Sequence, residues 1–299
     1  MVKWRRILRR FLIGLLKLTE EKARERKKRK RVSFRETRVS PGLIGVVIFL
    51  ILFWILLEEF GFSWENVLGL LLFIGIIVVM LSIYMRRYIS DIGDHNSLAI
   101  IGLITIVMAL LIEVIHMTPE LSSYLVPVAS VGMLITILIN SHLAMVVVLI
   151  LSIIVALINR FDFSLFFFAL VGGVAGIYSS LDVRHRRDLV RAGLYISAAN
   201  MMIIAMIGLI RQKSFSQLGE SFLWGIGNGF LSVILTMGIL PYLEELFSIT
   251  TSIKLLELSD FNQPLLKKLM VEAPGTYHHS IVVGNLVENA SELIGANSL

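Results

Sequence analysis

The sequence predicts an all-α protein: a polytopic helical membrane bundle of about eight spans with a short cytoplasmic helical tail. Three observations predict it. Of 299 residues, 56% are hydrophobic and 17% are charged, whereas a soluble domain carries about a quarter charged residues. The apolar residues come in long runs, as membrane spans require. Charge is segregated along the chain: residues 1–38 carry 16 Lys/Arg against 4 Asp/Glu, and the remainder carries 12 against 18. The net charge of +6 is therefore one basic tail on an otherwise acidic chain. There are no cysteines, so disulfides and thiolate metal sites are excluded.

The first element is the basic tail, residues 1–38. Its "FLIGLLKL" follows "WRRILRR" and runs into the dense charge of "EEKARERKKRKR", too short and too charged on its flank for a cleavable signal peptide. Residues 3–17 read as an amphipathic helix on the membrane surface. Trp4, Ile7, Leu8, Phe11, Leu12 and Leu15 turn toward lipid, while Arg5, Arg6, Arg9 and Arg10 meet anionic headgroups. Nucleic acid would use the same charges. A membrane-tethered polybasic tail instead sets topology and binds lipid, so no nucleic-acid partner is expected.

The membrane domain follows, residues 39–241. Its apolar stretches are approximately 42–57, 67–84, 97–115, 125–139, 143–158, 163–179, 193–210 and 223–241. A span needs about 20 residues. The pair 125–139 and 143–158, joined by "NSH", leaves two spans or one irregular element open. The basic tail places the N-terminus in the cytoplasm. Alternation then puts "MRRY", "NSH" and "DVRHRRDLVR" inside, and "EEFGFSWEN", "HMTPELSS", "NRFD" and "RQKSFSQLGE" outside. Arg and Lys concentrate on the inner side, and an even count returns the C-terminus to the cytoplasm of a bacterial inner membrane.

Polar residues inside these stretches are few. Asn200 and Asn228 suit interhelical hydrogen bonding better than a transport pathway. Glu113 lies near the outer end of its span, where it reaches water. No span carries a mid-depth carboxylate pair or Arg–Asp pair, which gives a solute transporter little support. "GGVAG" (Gly172, Gly173, Gly176) and "GIGNG" (Gly225, Gly227, Gly229) resemble nucleotide loops only in spelling. They lie within spans, with no strand before them, and read as sites of close helix approach.

After Pro241 the composition becomes soluble and helical. Residues 242–275 form a cytoplasmic linker that includes a short helix, "PLLKKLMVE", with Pro264 in its first turn. "APG" breaks that helix, and a longer one follows, approximately 277–294. On it His279, Val283, Leu286, Ala290 and Leu293 recur at helical period, placing His279 at the head of a core-facing apolar stripe. His278 and His279 point about 100° apart, so one ion does not take both. Glu288 and Glu292 fall off the His279 face. A lone histidine on such a stripe is more often a core residue than a metal ligand.

The run "LLELSDFNQPLLKKLMVEAPGTYHHS", with "GGVAGIYSS" and "RHRRDLVRAGLY" before it, closely resembles the membrane-bound HD-domain phosphohydrolases. These are the seven-transmembrane receptors with an intracellular HD domain, of the PgpH type. The resemblance covers about residues 67–299, and the first span here is additional to the family's seven. It implies a bacterial phosphodiesterase that cleaves cyclic di-AMP, a cyclic dinucleotide, with a divalent metal pair, Mn or Fe. By analogy His279 is the first metal ligand and His278 a weaker candidate. Residues 276–299 would be the first helix of an HD domain. The His-Asp doublet and later ligands of that domain are absent after His279, and "EEFGFSWEN" stands where the family carries a large outer domain. The expectation is thus the anchoring and sensing portion of such an enzyme, truncated within the HD domain and inactive by itself. The alternative is a complete non-enzymatic sensor or scaffold derived from the family. Whether the chain forms a homo-oligomer is open at this level.

Overall fold

A computed structural model describes residues 41–88, 95–212 and 214–294. The surface helix expected over 3–17, with Arg5, Arg6, Arg9 and Arg10, lies outside the described residues. Every regular element among them is helical, as expected for an all-α chain. In chain order they are α1 (Pro41–Phe60), α2 (Trp64–Tyr88), α3 (His95–Met117), a 3-10 turn (Ser123–Leu125), α4 (Val128–Leu138), α5 (Ser141–Ile158), α6 (Phe163–Ser179), α7 (Arg186–Ile210) and α8 (Phe215–Phe247). The tail holds α9 (Ser252–Ser259), α10 (Pro264–Glu272) and α11 (Pro274–Leu293).

Among the described residues four helices are long and apolar enough to cross a membrane: Ala99–Met117 within α3, α5, α7, and Ser216–Phe247 within α8. Their outward faces remain apolar. Val114 is 57% exposed, Met202 71% and Leu209 77%, on a scale that no soluble monomer surface sustains and that lipid accepts. The protein is therefore a membrane protein.

The ambiguous region is two helices. Asn140 separates them, its Oδ1 accepting from Leu143 N at 2.8 Å, which caps α5 by the usual Asn geometry. α4 has only 11 residues, about 16 Å of helix, or roughly half of a ~30 Å hydrocarbon layer. It is also the most enclosed helix, with nine of its 11 residues buried, packed among α5, α6 and α8.

Close approach around α4 depends on missing side chains. A Cβ on Gly176 would stand 2.7 Å from the Ala129 carbonyl oxygen, and one on Gly132 2.8 Å from that of Gly173. The α7–α8 contact is alike: a Cβ on Gly229 would stand 2.8 Å from the Gly193 carbonyl. Without a hydrophobic driving force between helices in lipid, such contacts supply the van der Waals attraction. Gly172, Gly173, Gly176, Gly225 and Gly229 all face neighbouring helices at these contacts, whereas Gly227 of the second motif faces open space apart from Leu125 at 3.9 Å.

Several helices run past their apolar stretches. α7 starts at Arg186 because Asp188 Oδ2 accepts from the His185 amide at 2.9 Å and the Arg184 amide at 3.3 Å, capping a charged first turn. α8 continues through Pro241 to Phe247. Its 33 residues span about 50 Å, well beyond a hydrocarbon layer. It stops where Ser248 takes a left-handed conformation at φ 53°. α11 starts at Pro274 rather than near 277, because proline suits the first helical position.

Candidate functional site

Three polar assemblies stand out among the described residues. The first is buried between α7, α8 and the segment that leads into α4. Asn200 Nδ2 donates to Asn228 Oδ1 at 3.1 Å and to the Gly225 carbonyl at 3.1 Å. Asn228 Nδ2 donates to the carbonyls of Tyr124 at 3.0 Å and Val126 at 2.7 Å. These are interhelical hydrogen bonds, the use expected for both residues. Asn228 supplies the partners that the broken backbone between the 3-10 turn and α4 cannot find within a helix, and lipid cannot offer them. Asn200 Oδ1 has no N–H or O–H donor. It lies against Gly172, where a Cβ would be 2.7 Å away.

The second assembly joins the loops at the ends of α1, α3, α5 and α7. Glu59 pairs with His116 Nε2 at 3.2 Å and with Arg160 Nε at 3.4 Å. Asp162 pairs with Arg211 Nη2 at 2.6 Å and accepts from the Ser164 amide at 2.8 Å, capping α6. Partial burial pushes the Asp162 carboxyl up, but the Ser164 amide and the Arg211 guanidinium outweigh it and hold it below the ordinary aspartate value. Glu113 is half-buried, and its Oε2 is shielded without a hydrogen-bond partner. The bundle therefore closes over one oxygen of this carboxylate.

The third assembly straps the tail to the start of α7 and the end of α8. Thr251 caps α9, accepting from Lys254 N at 3.3 Å, and its hydroxyl donates to the Glu244 carboxylate. Ile253 is 4% exposed and closes a water-sized cavity with Leu189, Met237, Leu240 and Pro241. Arg186 Nε donates to Glu257 Oε1 at 2.7 Å, which holds the Glu257 carboxyl below the ordinary glutamate value. Sequence reasoning missed this strap. The only local sign was a threonine one residue before a helical run; the partners lie elsewhere in the chain.

His278 and His279 are exposed on α11. The stripe that His279 heads is corrected: it does not face a core among the described residues. Leu286 is 64% exposed and Leu293 89%. α11 packs chiefly on α10 by another face, with Tyr277 against Phe261 of the turn before α10 at 6.4 Å between ring centroids and Ile281 half-buried. Among the described residues no group of three or more His, Cys, Asp or Glu is placed to hold a metal ion. Two adjacent imidazoles aimed apart do not fit a metal pair by themselves, since each ion needs several converging ligands.

Residues 64–251 match the family described as the 7TM receptor with intracellular HD hydrolase. Over 244 residues the chain is 32% identical to the cyclic-di-AMP phosphodiesterase PgpH of Bacillus subtilis, covering 77% of this chain and 34% of that protein. It is 34% identical over 185 residues to the protein of the same name from Listeria monocytogenes, covering 59% of this chain and 25% of that one. An uncharacterised protein of Synechocystis is 32% identical over 130 residues, covering 42% of this chain and 16% of its own length. The chain thus spans about a third or less of the length of these curated relatives. No solved structure matches.

Proposed function

The chain belongs to the family of 7TM receptors with an intracellular HD hydrolase, and on that premise we propose that it is the membrane anchoring and sensing part of a phosphodiesterase for cyclic dinucleotides, cyclic di-AMP foremost. The observation that carries this reading is the likeness to two cyclic-di-AMP phosphodiesterases, one of them over 77% of the chain.

The proposed layout is eight crossings, with residues 123–138 counted as one, and both chain ends in the cytoplasm. Charge supports it. Arg184, Arg186, Arg187 and Arg191 gather where α7 begins, whereas Glu58, Glu59, Glu65, Glu120 and Asp162 gather at the loops assigned to the outside. Residues 1–38 form the basic lipid-facing tail, 39–241 the membrane domain, 242–275 the linker and 276–299 the first helix of an HD domain.

On this reading His279 supplies one ligand to a divalent metal pair, Mn or Fe, and His278 is the weaker candidate. Bound metals would supply an activated water and a hold on the scissile phosphate. What this chain contributes is positional. α11 carries His279 at the head of its exposed stripe, α10 packs against α11, and Phe261 in the turn before α10 meets Tyr277. The remaining ligands would come from sequence that the relatives carry outside the matched third.

The test joins this chain to the C-terminal remainder of the Bacillus subtilis relative and measures Mn²⁺-supported hydrolysis of cyclic di-AMP. His279→Ala is expected to lower turnover and bound metal by at least ~100-fold, and His278→Ala by less. Equal activity of the His279→Ala and unsubstituted chains sinks the assignment. The chain without that extension is expected to show no Mn²⁺-dependent turnover.

A further inference from the structure

The start of α7 carries two kinds of arginine. Arg186 turns to Glu257. Arg187 and Arg191, one turn apart, stand on the opposite, exposed side. They continue into Leu194 (58% exposed), Tyr195 (66%), Met202 and Leu209, one stripe at helical period. The other face, with Leu189, Ala192, Ile196 and Asn200, is buried in the bundle. Arg187 and Arg191 therefore head the lipid-facing stripe of a membrane helix.

Their depth follows from length. α7 ends at Ile210, beside the Arg211–Asp162 pair. Counting about 20 residues back for the hydrocarbon layer reaches Arg191. Arg187 and Arg191 thus stand in the headgroup layer. Tyr195 lies one turn inside, and Tyr178 is 78% exposed at the neighbouring end of α6, in keeping with interfacial aromatics.

Three of the nearby carboxylates are already engaged. Asp188 accepts from the Arg184 and His185 amides, Glu257 from Arg186, and Glu244 from Thr251. Asp182 makes no ion pair, and neither do the side chains of Arg184, Arg187 or Arg191 with any described residue, although Arg187 lies within electrostatic reach of Asp188. Arginines in the first turns of a helix also oppose its dipole. An anion held between them relieves that repulsion, and a guanidinium fork matches a phosphate in shape.

We propose that the lipid-facing start of α7 binds the headgroup of an anionic phospholipid, with Arg187 and Arg191 holding its phosphate and Arg184 adding charge. The site adjoins the strap that carries the tail. It does not depend on the catalytic reading.

The test places the full chain in nanodiscs of phosphatidylcholine, alone or mixed with phosphatidylglycerol, and follows hydrogen–deuterium exchange across 184–191. A local readout is needed because residues 1–38 also carry strong positive charge. Phosphatidylglycerol is expected to slow exchange by up to about 30-fold, the worth of two arginines at an anionic surface. R187Q/R191Q is expected to abolish the slowing, and R186Q to retain it. No slowing in the unsubstituted chain overturns the proposal, as does slowing that survives R187Q/R191Q or is lost equally in R186Q. Inorganic phosphate that reproduces the effect in phosphatidylcholine discs also overturns it, by assigning the site to a free phosphate ligand. If the double variant does not fold, each single substitution is expected to remove about five-fold, and single variants without effect refute the assignment.

Discussion

Asn228→Ala is expected to destabilise the bundle more than its size suggests. The side chain is 2% exposed. It donates to two backbone carbonyls, Tyr124 and Val126, and accepts from Asn200. Truncation takes one partner from each of three groups where lipid and apolar side chains cannot replace it, although Val126 O keeps the Val128 amide and Asn200 Nδ2 the Gly225 carbonyl. An unsatisfied buried group costs about 1–3 kcal/mol. Interhelical hydrogen bonds measured in a membrane average about 0.6 and reach about 1.7 kcal/mol. Three contacts combined predict a loss of about 2–4 kcal/mol, or roughly 4–16 °C in melting temperature for a protein of this size. The assay is thermal unfolding of the purified chain in one detergent, beside Asn289→Ala as control. Asn289 is exposed on α11 and bonds only to Asn285 O, so that control is expected to stay within about 0.5 kcal/mol. Asn228→Asp keeps the size but loses at least one of the two donations, and is expected to fall between the unsubstituted chain and the alanine variant or near the latter. If Asn228→Ala melts within about 1 °C of the unsubstituted chain, the pin between α8 and the start of α4 carries no stability and the reasoning fails.

Gly176→Ala would push a methyl against the Ala129 carbonyl and is expected to cost about 1–3 kcal/mol; Gly219→Ala meets nothing within 4 Å and is expected to be neutral or to stabilise by up to about 1 kcal/mol, both read from the same melts. Ile253→Ala empties the contact under the strap and is expected to cost about 2–4 kcal/mol, with faster amide exchange over 251–259. Glu257→Gln breaks only a half-exposed pair and is expected to cost under about 1 kcal/mol. The Asp162 carboxyl titrates below its ordinary value in the fold, so its contribution is complete above the unfolded value near pH 4 and disappears as pH falls through the lower, folded one. Asp162→Asn should lower the melting temperature at neutral pH and reduce its acid dependence below about pH 4; an unchanged acid limb refutes that role.

Much of the architecture was legible because lipid burial acts on composition. Runs such as 143–158 and 163–179 sit almost on α5 and α6, since an apolar run in a bilayer has to satisfy its own backbone and does so as a helix. The same measure failed where helices left the oil. The first turns of α7 and α8 are polar, and their starts are set by Asp188 on the His185 amide and by Gln217 on the Ser214 amide. Pro241 looked like a boundary, yet α8 runs through it. On α11 the periodicity correctly grouped His279, Val283, Leu286, Ala290 and Leu293 on one face. It could not say what covers that face, and α10 packs against another.

The sequence by itself determined that this is a helical membrane protein, which family's block it carries, and which histidine heads the apolar stripe of α11. Those features are written in composition, period and a contiguous motif. Tertiary structure alone decided that α4 is a short, enclosed helix whose start hangs from Asn228, more than 100 residues away. It decided that Arg186 faces Glu257 while Arg187 is exposed on another side of α7, and that Thr251, Ile253 and Glu257 tie the tail to the bundle. The physical reason is the same in each case. A run's solvent is fixed by its own residues, but the partner of a buried amide or a charged side chain is supplied by whichever distant segment packing brings beside it.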